Sequence, residues 1–140
     1  MSTKNFKNEI TITSKTENLS QVRDFIKSIA ETCGFTKEEI GKIILAVDEA
    51  TTNVIKHAYH YADDKEINIK ASCEKGKFSI IISDEGSVFD PNKVPLPDLK
   101  EYHKQKKVGG LGMFLMRKLM DDVKYEHFAN RNKVTLVKYI

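Results

Sequence analysis

Tryptophan is absent from the 140 residues, proline occurs three times and cysteine twice. Long apolar runs are also missing, although 40% of the residues are hydrophobic. The longest runs are only a few residues, such as Ile43-Ile44-Leu45-Ala46-Val47. A helix that crosses a bilayer needs about 20 apolar residues in a row, so no membrane span is expected. The opening MSTKNFKNEI is polar and lacks the apolar stretch of a secretion signal. Charge of one sign does not dominate: 23 Lys+Arg against 20 Asp+Glu gives a formal net charge of +3. With no basic block and no basic–aromatic stripe, direct nucleic-acid binding is not expected. Cys33 and Cys73 form neither a CxxC pair nor a metal-ligand spacing. Without an export signal they read as two reduced thiols in a cytosolic protein. What remains is an ordinary globular composition, long enough for one domain over 1–140 with a core that needs no disulfide or metal.

Hydrophobic periodicity orders the elements. Residues 6–13 alternate, with Ile10 and Ile12 on one face, and read as a strand. Asn18 begins a helix in which Leu19, Val22, Ile26, Ile29, Ala30 and Cys33 recur at helical spacing, and Gly34 stops it. Thr36 with Glu39 makes a capping box, and Phe35 with Ile40 a hydrophobic staple. From there a 3.6-residue period through Ile43, Val47, Thr51, Val54 and Ala58 predicts a helix to about Tyr59. Strands follow at Glu66–Ser72 and Lys77–Asp84, joined by Cys73-Glu74-Lys75-Gly76. Residues 85–110 hold all three prolines and Gly109-Gly110, and read as a long loop, usually a functional element. A helix over Leu111–Met120 precedes strands at Asp122–Phe128 and Lys133–Tyr139, joined by Ala129-Asn130-Arg131-Asn132. Clustered antiparallel strands with helices over one face make a two-layer α+β sandwich.

Three polar segments carry potential chemistry. Glu49 and Asn53 are four apart on the long helix and share a face. That face lies opposite the stripe of Ile40 and Val47, so by itself it reads as a solvated surface. Ser83-Asp84-Glu85-Gly86 ends a strand, as an ordinary turn also does. Gly109-Gly110-Leu111-Gly112 precedes a helix, whose N-terminal amides favour phosphate. It matches neither a Walker loop nor a Rossmann fingerprint. His57 and His60 stand three apart with no further cluster to complete a metal site.

The order of the segments is more informative than any one of them. "AVDEATTNVIKHAY" (46–59), "SDEGSVFDP" (83–91) and "GGLGMFLMRKLMDDV" (109–123) resemble the N box and two glycine boxes of the GHKL ATPase superfamily. Within it the chain is similar to the anti-sigma-factor serine/threonine-protein kinases, the RsbW/SpoIIAB-like group. The resemblance implies a Bergerat-type two-layer sandwich with a mixed, mostly antiparallel sheet and an ATP lid at about 87–110. It implies ATP and Mg²⁺ as cofactors, with Asn53 ligating the metal through its carboxamide oxygen, a hard donor for a hard ion. Asp84 would accept a hydrogen bond from the adenine amine, and Gly86 would let the chain pass close to the base. Gly110, Leu111 and Gly112 would wrap the phosphates. Lys107, with Lys106, would add charge at the lid, or form a solvated basic pair. Glu49 would be the catalytic general base for an incoming serine hydroxyl.

Arg23 stands where that group has an arginine that binds protein partners; an exposed helical arginine reads equally as plain surface. The implied function is a cytoplasmic, ATP-dependent anti-sigma factor and homodimer. It would sequester an alternative sigma factor and phosphorylate a serine on an anti-anti-sigma (STAS-type) antagonist. The alternative is a non-catalytic ATP/ADP-binding regulator. One departure stands out: where the superfamily often has D-x-G-x-G, position 88 is Val.

Overall fold

The computed structural model describes residues 6–88 and 115–140. The elements are β1 (Phe6–Thr13), α1 (Leu19–Cys33), α2 (Lys37–Asn53), β2 (Glu66–Glu74), β3 (Lys77–Asp84), α3 (helical at 115–119), β4 (Asp122–Phe128) and β5 (Arg131–Tyr139). The strands form one sheet in the order β1-β2-β3-β5-β4. Every pairing among the described residues is antiparallel. None of the helices is long and apolar enough to cross a membrane, among the described residues.

Strand alternation decides what is buried. Ile67, Ile69, Ala71 and Cys73 of β2 and Phe78, Ile80 and Ile82 of β3 point to one face. They join Val22 and Ile26 of α1, Ile43 and Val47 of α2, and Met116 of α3 in a single core. Each Val, Ile, Phe and Met among them contributes about 1.5–3 kcal/mol through burial. Asn68, Lys70, Ser72 and Ser79 point to the opposite face and are not buried, although Ser83 and Val137 on that face are. This is the expected α+β sandwich, with helices over one sheet face.

The helix signals act as read. Glu39 N–H donates to Thr36 Oγ1 (3.2 Å) and Thr36 N–H to Glu39 Oε1 (3.1 Å), closing the capping box. Phe35 and Ile40 are both buried, and the Phe35 ring lies 5.7 Å from that of Phe78. Gly34 ends α1 with φ +98°, a conformation that favours glycine.

Four details differ from the sequence reading. The helix begins at Leu19 rather than Asn18, which ends a 3₁₀ turn (Thr16–Asn18) at the N-cap position and whose amide donates to Thr13 O and Oγ1 instead of capping. The hairpin turns are shorter, because Lys75-Gly76 and Ala129-Asn130 each take two positive φ angles, the tight turn suited to strand twist. Cys33 and Cys73 are not separate thiols: α1 and β2 bring their Cα atoms to 6.2 Å, and they are joined as a disulfide. Finally, α2 keeps α geometry only to Asn53, and Val54–Ala58 form a π-helical turn.

Candidate nucleotide-binding site

Alternation along β3 explains the first site residue. Counting in twos from Phe78 through Ile80 and Ile82 reaches Asp84, so a carboxylate sits on the core face at the strand's end. Asp84 is 4% exposed. Burial pushes its pKa up, opposed by hydrogen bonds from Asn132 and Gly86 and by the nearby His127. Gly86 N–H donates to Oδ1 at 2.8 Å, and so does Asn132 Nδ2. Both described bonds end on Oδ1, which leaves Oδ2 as the oxygen available to a ligand.

Asn53 ends α2 and is 8% exposed. The expectation that its helix face is solvated is therefore overturned. α2 is covered on more than one side: Ala46, Ala50 and Asn53 are buried along with Ile43 and Val47. The Asn53 Nδ2 atom has no hydrogen-bond partner among the described residues. A buried unpaired amide costs stability unless something meets it. Asn53 and Asp84 line one cleft with Ala50, Ile82, Met116 and Val134. The cleft measures about 30 Å³, space for roughly one water.

Glu49 lies one helical turn before Asn53 and is half-buried. Desolvation raises its carboxyl above the usual glutamate range; Lys56 lowers it, and Asp48 raises it further. Glu49 does not line that cleft. Arg23 stands apart on α1, where Nη1 donates to both oxygens of Asp48 (3.1 and 3.0 Å). Lys106, Lys107, Gly109, Gly110, Leu111 and Gly112, and the expected lid from 89 onward, lie outside the described residues.

The π turn connects the two halves of the site. Ser87 N–H donates to Ala58 O (2.8 Å), and Glu85 N–H donates to the Tyr59 hydroxyl (2.9 Å). That hydroxyl donates in turn to Glu66 O (2.5 Å), and His60 Nε2 lies 3.1 Å from Ser87 Oγ. The His57-Ala58-Tyr59 segment therefore does more than pack the helix end: it holds the turn that carries Asp84. Among the described residues, no group of three or more His, Cys, Asp or Glu could share a metal ion.

The profile of the histidine kinase-like ATPase domain matches residues 12–138. A serine-protein kinase RsbW of Listeria monocytogenes is 34% identical over 144 aligned positions, covering 100% of this chain and 91% of that protein. RsbW of Bacillus subtilis is 31% identical, covering 94% and 84%. The chain belongs to the RsbW family of histidine kinase-like ATPases. Solved structures share its fold. The RsbU and RsbW domains of a Mycobacterium tuberculosis protein match with TM-score 0.68 at 18% identity, over 96% of this chain and 32% of that one. The SiaB–SiaC complex of Pseudomonas aeruginosa matches with TM-score 0.65 at 10% identity, over 95% and 88%.

In this RsbW-family ATPase, sequence reasoning missed Asn132, which is 2% exposed. Asn132 is the register partner of Asp84 across β3 and β5. Its Nδ2 faces Asp84 Oδ1 (2.8 Å), Ser87 O (2.9 Å) and Gly86 O (3.3 Å). Its Oδ1 accepts from the Tyr125 hydroxyl (2.8 Å) and meets His127 Nδ1 at 2.9 Å. Three acceptors around one end of the amide fix which end is nitrogen, and His127 must then donate from Nδ1. The signal was present: stepping back in twos from Leu136 and Val134 reaches Asn132.

Gly86 packs tightly against the end of the long helix, a constraint separate from the expected approach to a base. A Cβ there would lie 2.6 Å from Ala58 C and 2.8 Å from the Tyr59 ring, with Ala58 O nearer still. Gly86→Ala is expected to destabilise the RsbW-family fold by about 1–3 kcal/mol, the cost of overpacking. That corresponds to a Tm fall of roughly 3–10 °C in a thermal melt. An unchanged Tm would show that the turn does not need this contact.

Proposed function

We propose that the chain is an ATP-dependent serine kinase that restrains a transcription factor, working as one domain with a lid at about 87–110. The observation that carries it is that the buried amide of Asn53 and the buried carboxylate of Asp84 line the same cleft. Asp84 accepts the adenine amine, and Gly110, Leu111, Gly112 and Lys107 follow the phosphates. The unmet Asn53 amide fits a group held at that point, and its oxygen suits Mg²⁺. Magnesium binds through few protein ligands when phosphates and waters complete its shell. When bound, the ion neutralises charge on the transferring phosphoryl group. Glu49 takes the proton of the attacking serine hydroxyl, and its raised pKa makes it a stronger base.

The kinship to serine-protein kinases named RsbW supports an anti-sigma role. In that role the chain acts in the cytoplasm as a homodimer, binds an alternative sigma factor, and phosphorylates a serine on a STAS-type anti-anti-sigma antagonist. Arg23 contacts the partner. Incubation with Mg-[γ-³²P]ATP and the antagonist from the same host should label that antagonist on serine. Asn53→Ala should raise the magnesium concentration needed for half-maximal labelling by about tenfold. No label, with antagonist binding intact, would replace the kinase reading with a nucleotide-gated binder. An unchanged magnesium requirement would remove Asn53 from the metal.

A further inference from the structure

Arg23 and Asp48 form an ion pair between α1 and α2, outside the nucleotide cleft. Three features of this pair bear on its function. First, both side chains are partly open to solvent, 42% and 27% exposed, so another molecule can reach them. Second, the pairing geometry is incomplete. Nη1 alone reaches both Asp48 oxygens, at 3.1 and 3.0 Å. The strongest arginine–carboxylate pairing uses two nitrogens in parallel, and a guanidinium has five N–H donors to offer. An incoming carboxylate can therefore make a better fork on this arginine than Asp48 does.

Third, the surroundings suit a protein segment better than a small anion. Leu45, on the side of α2 that carries Asp48, is 42% exposed. Farther along the same two helices a groove of about 630 Å³ has Phe35, Ile40 and Ile44 in its lining and Lys27 and Lys37 as its cations, with Glu31 as the one acidic member. Lys27 is one helical turn from Arg23, so the basic charge continues along α1.

We propose that Asp48 occupies on Arg23 the place that a carboxylate of an acidic protein partner takes on docking, making the pair an exchangeable latch on the α1–α2 surface. The inference rests on the reading of Arg23 as a partner contact. It adds that the free protein satisfies this arginine internally and that docking must break the pair.

The test measures affinity of the full chain for the antagonist labelled in the transfer assay, by calorimetry at low salt. Asp48→Asn is near-isosteric, and Asp48→Ala removes the acceptor altogether. Both should tighten binding by about two- to fivefold, the worth of an exposed ion pair no longer broken. Arg23→Ala should weaken binding at least tenfold, and Asp48→Ala added to it should restore nothing. ATP affinity should stay within about twofold in all variants, because neither residue lines the cleft. If Arg23→Ala weakens binding while both Asp48 variants leave it unchanged or weaker, the latch is wrong and the docking role of Arg23 stands. If Arg23→Ala changes nothing, the docking role fails and the latch falls with it.

Discussion

Glu49→Gln should reduce phosphotransfer by about 10²–10⁴-fold, the usual worth of a positioned general base, with ATP affinity held within about twofold. The amide keeps the shape of the side chain but cannot take a proton. Single-turnover transfer and nucleotide titration separate the two effects, and equal loss of both would refute the role. The wild-type pH profile supplies an independent check. The active form of Glu49 is the carboxylate, and burial raises its pKa above 4.5. The acid limb of the rate should therefore lie above the ordinary glutamate range. The stability effect has the opposite sign. A carboxyl with a raised folded-state pKa binds protons more tightly folded than unfolded, so its ionisation costs stability as pH rises through that pKa. Near neutral pH, Glu49→Gln removes this cost and should melt no lower than wild type.

Asp84→Asn should do more than weaken ATP binding; it should reverse the preference among purines. Oδ1 of Asp84 is held by two donors, Gly86 N–H and Asn132 Nδ2. In the asparagine variant the oxygen is kept at that position, because the amide nitrogen there would face two N–H groups. The new NH₂ then takes the place of Oδ2 and meets the base. Against the adenine amine, donor faces donor; against the 6-oxo group of inosine triphosphate, donor faces acceptor. Loss of the charged hydrogen bond to adenine should cost about 1.5–3 kcal/mol, roughly 10- to 150-fold in affinity. Inosine triphosphate should bind the variant at least as well as it binds wild type. Calorimetry with both nucleotides decides the matter, and an unchanged ratio would remove Asp84 from the base.

The sandwich was legible because its signals are local. Alternation in β2 and β3, the capping box at Thr36 and the stop at Gly34 each depend on residues a few positions apart. Asp84 was found through a motif, yet its burial follows from counting in twos along β3. Asn132 escaped notice because its meaning depends on register across β3 and β5, which no single strand reveals. The burial of Asn53 was misread for a related reason. A helical wheel shows one apolar stripe, whereas α2 is covered on more than one side. The Cys33–Cys73 pairing depended on α1 crossing β2, a contact between elements that are not neighbours in sequence. The π turn had no signal in periodicity, since a wider turn leaves the apolar pattern nearly unchanged.

That wider turn fixes the length of one short piece of chain. Adding one more residue within Val54–Ala58, a turn that already holds one more than an α-helical turn, would rotate each side chain beyond it by about 100°. The Tyr59 hydroxyl would then leave Glu85, and the Ala58 carbonyl would leave Ser87. An insertion in these five positions would therefore part the end of α2 from the turn that carries Asp84.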